Sequence, residues 1–134
     1  MTLEEKDRES LVKYRINQAE ETKLDVQLLI DNDRLRSAVN RIYYGMFYAL
    51  LALAAHFQFE TSKHSQLIGW FNKNFIHTKQ IDPRFGKIIN KAFNRRTKGD
   101  YDTYIEFERK IVVEMFQEME QFITEMERFL DSQK

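Results

Sequence analysis

Apolar residues recur along almost the whole chain at spacings of three and four, which is the pattern of helices with one buried face. Over about Leu3 to Ile30 the stripe is Val12, Ile16, Ala19, Val26 and Leu29, and Thr2 with Glu5 reads as a capping box at its start. Asn32-Asp33 interrupts the pattern, and a second helix is expected over about Leu35 to Phe57. That helix is the most apolar of the chain, so it is expected at the centre. A loop over Gln58 to Ser62 leads to a third helix, about Lys63 to His77, with Thr61 or Ser62 as its cap. Asp82-Pro83 places a capping side chain before a proline at the first helical position. The fourth helix then runs to about Arg96, with Gly99 as its terminator.

The fifth helix has the clearest pattern. Thr103-Tyr-Ile-Glu106 has the form of a capping box. Val112, Met115, Met119, Phe122, Met126 and Phe129 follow in alternating steps of three and four, flanked by Phe116, Ile123 and Leu130. A self-associating coiled coil would use the same seam, but the flanking apolar residues favour a broad face packed inside a bundle. No run of strict polar/apolar alternation occurs, and with four glycines and one proline there are few break points. The expected fold is all-α, an up-and-down bundle of about five helices forming a single domain over residues 1–134. Phe47 or Leu51 is expected to meet Phe71 or Phe75 and the Met/Phe seam of the last helix.

Composition narrows the function classes. A chain of 134 residues can bury one core without staples. The absence of cysteine excludes disulfides, thiolate metal sites and thiol nucleophiles. Lys+Arg and Asp+Glu balance at 21 each, so affinity for nucleic acid cannot come from overall charge and would need a local basic patch. No apolar N-terminal run resembles a signal peptide, and the apolar stretch from Tyr48 to Ala55 is too short for a membrane span. The expectation is a soluble cytoplasmic protein.

Three histidines are present, His56, His64 and His77, without ligand-pair spacing, so no metal or other cofactor is expected. There is no glycine-rich phosphate loop and no nucleophile elbow. The second helix is unusual. Ala38-Val-Asn40-Arg41-Ile-Tyr43-Tyr44-Gly-Met-Phe47-Tyr48 puts an arginine, an asparagine and three tyrosines into an otherwise apolar helix. Arg41 and Tyr48 are separated by nearly two turns, so they share a face about 10 Å apart along the axis. An arginine in such a setting requires a partner or serves a site. Asn94-Arg95-Arg96-Thr-Lys98-Gly-Asp100-Tyr101 groups three cations near an acid and an aromatic. It reads either as charge complementing a helix C-terminus or as a phosphate patch with a stacking ring.

These segments together resemble the HEPN domain, a family of small helical bundles associated with nucleotide binding. The resemblance spans about Leu35 to Leu130. It rests on Ala38-x-Asn40-Arg41-x-Tyr43-Tyr44-x-x-Phe47, on Lys63-His64-Ser65 with Phe71 and Phe75, and on Arg95/Arg96 followed by Asp100-Tyr101. It implies the single-domain prokaryotic branch, often encoded beside a minimal nucleotidyltransferase as a toxin–antitoxin-like pair. Many members are metal-independent endoribonucleases that use an arginine, four to six residues, then a histidine, at a dimer interface. Arg41 matches the arginine, but Met46, Phe47 and Tyr48 occupy the positions where the histidine could stand, and His56 is too distant.

A tyrosine ordinarily titrates near 10 and is a poor general base at neutral pH, so an Arg41–Tyr48 catalytic pair implies weak or absent cleavage. The expected role is binding of RNA or nucleotide phosphate by Asn40, Arg41, Tyr44, His64, Arg95, Arg96 and Tyr101, in a homodimer formed through the second helix. In the four-residue register Tyr48 corresponds to a tyrosine that the partner nucleotidyltransferase adenylylates in some members. It equally reads as a core tyrosine with a satisfied hydroxyl. The alternatives are a non-enzymatic partner of a nucleotidyltransferase, an active metal-independent ribonuclease, and a plain helical interaction module.

Overall fold

The computed structural model describes residues 3–134, so the Thr2 cap lies outside the described residues. They form an all-α bundle of five helices: α1 (Leu3–Asp31), α2 (Leu35–His56), α3 (His64–Phe71, continued by a π-helical turn over Asn72–Ile76), α4 (Pro83–Tyr101) and α5 (Arg109–Ser132). Short connections after α1 and α2 force chain reversal. At each reversal a residue takes the left-handed conformation, Asp33 at φ 58° and Gln58 at φ 59°. Asp82 Oδ1 accepts from the Arg84 N–H at 2.9 Å with Pro83 at the first helical position, as its sequence predicts.

Helix α2 packs against all four other helices, which explains its apolar composition. Ile42, Tyr43, Leu50 and Leu53 are fully buried. The α5 seam is buried throughout, from Val112 to Leu130. Gly45 lets α2 pack closely on α5 and α1, because a Cβ built there would lie 2.1 Å from Met119 Cε and 3.3 Å from Thr22 Cγ2. The aromatic part of the core links α3 to α5 through Phe71–Phe122 and Phe75–Phe129, and Phe57 at the end of α2 closes it onto Phe75 and Phe129. Phe47 turns away from this cluster and meets His64.

Three helix ends differ from the sequence expectation. Helix α4 does not stop before Gly99 but runs through it to Tyr101, and no glycine takes a positive φ. Gly99 instead provides a seat for Phe107, whose ring atoms would lie 3.2 and 3.3 Å from a Cβ. The free carbonyls at this helix end are satisfied by Arg36 of α2. Its guanidinium donates to Gly99 O, to Asp102 O at 3.0 Å, to Thr103 O at 3.3 Å and to Ile105 O at 2.6 Å. The same clamp explains the second difference. Thr103–Glu106 forms no capping box, because this stretch is drawn into an irregular turn under Arg36. Helix α5 begins at Arg109 behind an extended Glu108 that makes no side-chain cap. Likewise Lys63, not Thr61 or Ser62, is the cap residue of α3, and Thr61 Oγ1 accepts from Lys63 N within the preceding loop.

Candidate functional site: a cluster around Tyr44

The outward face of α2, the first residue of α3 and the last turns of α4 converge on the ring of Tyr44. Arg41 lies one turn earlier on the same helix, with Cζ 5.2 Å from the Tyr44 ring centre and 5.8 Å from that of Tyr48. Its Nη2 donates to the Tyr48 hydroxyl at 3.3 Å. Both interactions follow from the spacing, since residues three and seven apart share a helix face. Arg41, Tyr44 and Tyr48 are all half-buried, so this face is neither core nor free surface.

Arg96 reaches the same ring from α4. Its Nη2 donates to the Tyr44 hydroxyl at 3.0 Å, and its Cζ is 5.3 Å from the Tyr43 ring and 5.4 Å from the Tyr44 ring. Nε lies 3.1 Å from Asp100 Oδ2, one turn on, and the other carboxylate oxygen accepts from Asn40 Nδ2 at 3.3 Å. Asp100 thus ties α4 to α2 and orients Arg96. Two guanidinium groups thus lie within 5.4 Å of the centre of one aromatic ring, and a carboxylate pairs with the one from α4. Arginine suits this arrangement because its charge is delocalised and weakly hydrated, while its edge keeps donors for a phosphate oxygen.

His64 completes the cluster. Its ring lies flat on Phe47, with centroids 4.1 Å apart and planes 7° off parallel, and edge-on to Tyr44 at 5.8 Å. Nδ1 is 2.7 Å from the hydroxyl of fully buried Tyr43. Burial, reinforced by the Arg96 charge, pushes the imidazole below its ordinary value, so the neutral ring prevails at neutral pH. Burial also raises Tyr43 well above the usual phenol range, with Tyr44 adding to the shift and Arg96 opposing it, so its hydroxyl keeps its proton.

A family model described as the HEPN domain matches residues 12–130. The chain belongs to the HEPN family. It is 36% identical over 128 residues to a UPF0332 protein of Thermotoga maritima, a match covering 96% of this chain and 97% of that protein. It is also similar to two proteins of Methanocaldococcus jannaschii. One, named "Putative toxin MJ0142", is 32% identical over 117 residues, covering 87% of this chain and 80% of the relative. The other, "Putative toxin MJ0605", is 33% identical over 126 residues, covering 94% and 88%.

The HEPN bundle brings together Asn40, Arg41, Tyr44, Tyr48, His64 and Arg96 of the residues singled out in the sequence. It does not bring in the other two. Arg95 projects from another side of α4, beside Met115 and the Lys91–Glu118 ion pair (2.9 Å). Tyr101 stands 83% exposed at the end of α4. Tyr43, Phe47 and Asp100 are part of the cluster although the sequence reading gave them no site role. All three stand in the motifs that carry the family resemblance, and the i,i+4 spacing of Arg96 and Asp100 is a further local signal. Among the described residues no group of three or more His, Asp or Glu side chains could hold a metal ion, and no helix is long and apolar enough to cross a membrane.

Proposed function

We propose that this HEPN protein is the toxin-like member of a paired system and binds RNA or nucleotide phosphate at the Tyr44 cluster. The observation that carries the reading is the convergence of Arg41 and Arg96 on one half-buried aromatic ring. Nothing in the packing of the core requires two arginines there, and a phosphate would neutralise both. The toxin names of two relatives of similar length support the role, and a cytoplasmic protein that meets a nucleotidyltransferase partner fits it. Balanced overall charge makes the local pair decisive, so binding should be modest and salt-dependent. Arg95, outside the cluster, contributes only to the surrounding field.

Within α2 the position that follows Arg41 after six intervening residues holds Tyr48, not an imidazole, and cleavage by that pair is weak or absent. The test is fluorescence anisotropy of a labelled single-stranded RNA against the wild type, Arg41→Ala and Arg96→Ala. Each substitution should weaken binding about tenfold, the loss of one charge-assisted phosphate contact. Equal affinity in all three proteins sinks the reading.

A second reading has its own support. Tyr48 is half-buried and its hydroxyl accepts from Arg41 at 3.3 Å, which supports it as a modifiable oxygen at the edge of the core. Adenylylation by a nucleotidyltransferase would appear as an added AMP by mass spectrometry and vanish in Tyr48→Phe.

A further inference from the structure

We propose that the groove between the first half of α1 and the end of α2 docks a basic amphipathic helix of a partner protein, with apolar side chains on its floor and Lys or Arg side chains against its acidic rim. The groove shares no residue with the Tyr44 cluster. Its origin lies in how α1 packs. Ala19, Thr22, Val26 and Ile30 are buried in the bundle, whereas no residue from Glu4 to Gln18 is, and Val12 and Ile16 are only half-buried. The two helices therefore close at the end of α1 and part towards its start. The gap is a cavity of about 810 Å³ with Leu11, Leu51, Ala54, Ala55 and Phe59 as its apolar lining. Successive alanines on α2 leave the floor deep, and Leu11 stays 44% exposed above it. Phe59 is a rigid wall, because its ring lies on that of Trp70 with centroids 4.8 Å apart and planes 2° off parallel.

Charge selects the occupant. Four carboxylates, Glu4, Glu5, Asp7 and Glu60, surround the floor. Glu4, Asp7 and Glu60 are exposed and make no ion pair among the described residues. Two cations also line the groove. Arg15 is engaged along α1, where Nη1 donates to Gln18 Oε1 at 2.8 Å and Cζ stands 5.6 Å from the Tyr14 ring centre. Arg8 lies towards His56 at the end of α2. Burial first, and the Arg8 charge second, hold that imidazole below its ordinary value, so it adds no positive charge at neutral pH. Acids thus outnumber cations, which repels a nucleic-acid backbone and attracts Lys and Arg. Glu4 and Arg15, at the two ends of the groove, are about 16 Å apart along α1, the length of about three helical turns. A helix of that length offers two or three apolar side chains on one face and cations at both edges, and a groove between two helices is the seat such a helix takes.

The probe is a labelled model helix of about fifteen residues, with leucine along one face and lysine at both edges, beside the same peptide with glutamate in place of lysine. Each is titrated with the whole chain by fluorescence anisotropy. The wild type should bind the lysine peptide about tenfold or more tightly than the glutamate peptide. Asp7→Lys combined with Glu60→Lys should reverse that preference. Leu11→Ala, at a position exposed enough to spare the fold, should weaken the lysine peptide about fivefold through lost apolar contact. Glu114→Lys, an exposed acid on α5 outside the groove, should leave it within about twofold of the wild type. Backbone amide shifts should move at Leu51, Ala55 and Phe59 on binding.

Equal affinity for the two peptides overturns the proposal, as does a loss in Glu114→Lys as large as in the double variant. Spermine binding that matches the lysine peptide and ignores Leu11→Ala assigns the rim to a small polycation and overturns it too. Self-association of the chain that Leu11→Ala abolishes in light scattering assigns the groove to a second copy instead. If the double variant fails to fold, Leu11→Ala and the amide shifts decide, and groove amides that stay unmoved overturn the docking helix.

Discussion

Arg41 and Tyr48 meet across nearly two turns of α2, guanidinium to hydroxyl at 3.3 Å, with the Tyr44 ring beneath the guanidinium. In the proposed reading the pair stands where the HEPN motif has arginine and, in its six-residue register, histidine. Tyr48→His would place an imidazole, which titrates near neutral pH, beside Arg41 and should raise RNA cleavage at least tenfold over the wild type. Arg41→Ala should abolish the gain. Robust wild-type cleavage that survives Arg41→Ala would refute the assigned cluster.

Arg36 is predicted to be the most costly surface arginine to remove. It closes the end of α4 and the turn before α5 through four carbonyls, two of them within the irregular segment. Arg36→Ala should destabilise the chain by about 1–2 kcal/mol in urea unfolding, as charge-assisted hydrogen bonds in partial exposure contribute. Arg36→Lys should recover little, because one ammonium cannot reproduce the fork. A lysine variant as stable as the wild type would show that charge alone, not geometry, holds the turn.

Association should run through the α2 face. Arg41, Tyr44, Tyr48 and Leu51 are left half-buried along it, and a two-fold contact there would line one cleft with two copies of Arg41. Light scattering should report a dimer at tens of micromolar, a concentration that captures even modest affinity. A monomer under those conditions counts against a composite cleft.

Stability should fall as pH rises towards neutrality through one carboxyl pair away from the Tyr44 cluster. Glu127 of α5 is pushed up to about 7, first by burial and then by Glu20 of α1, while Glu20 is held low by its hydrogen bond with Glu127, against burial, and by Lys23 at 3.0 Å. The folded state therefore keeps the Glu127 proton up to about pH 7, whereas the unfolded chain releases it near 4.5. Between those values the folded state binds more protons, so stability declines with rising pH and levels off above about 7. Discounted for partial exposure, the decline is on the order of 1 kcal/mol. Glu127→Gln stays neutral throughout and should remove this decline in thermal melts. An unchanged pH dependence in the variant would assign the effect elsewhere.

What the sequence determined by itself is what local periodicity controls. The five helices, the Asp82-Pro83 start of α4, the buried Met/Phe seam of α5 and the shared face of Arg41, Tyr44 and Tyr48 all follow from residues within two turns of one another. The HEPN resemblance was legible because its motifs are also local. The tertiary structure decided everything that depends on which helix ends meet. It set His64 on Phe47, brought Arg96 and Asp100 to Asn40 and Tyr44, and turned Arg95 away by one residue's rotation on the same helix. It also extended α4 through Gly99 and delayed α5 to Arg109, because the carbonyls that a glycine cap would have served are bound by Arg36, more than sixty residues earlier in the chain. Helix capping is local when a neighbour satisfies the terminal groups, and it becomes unreadable from sequence when a distant side chain does so.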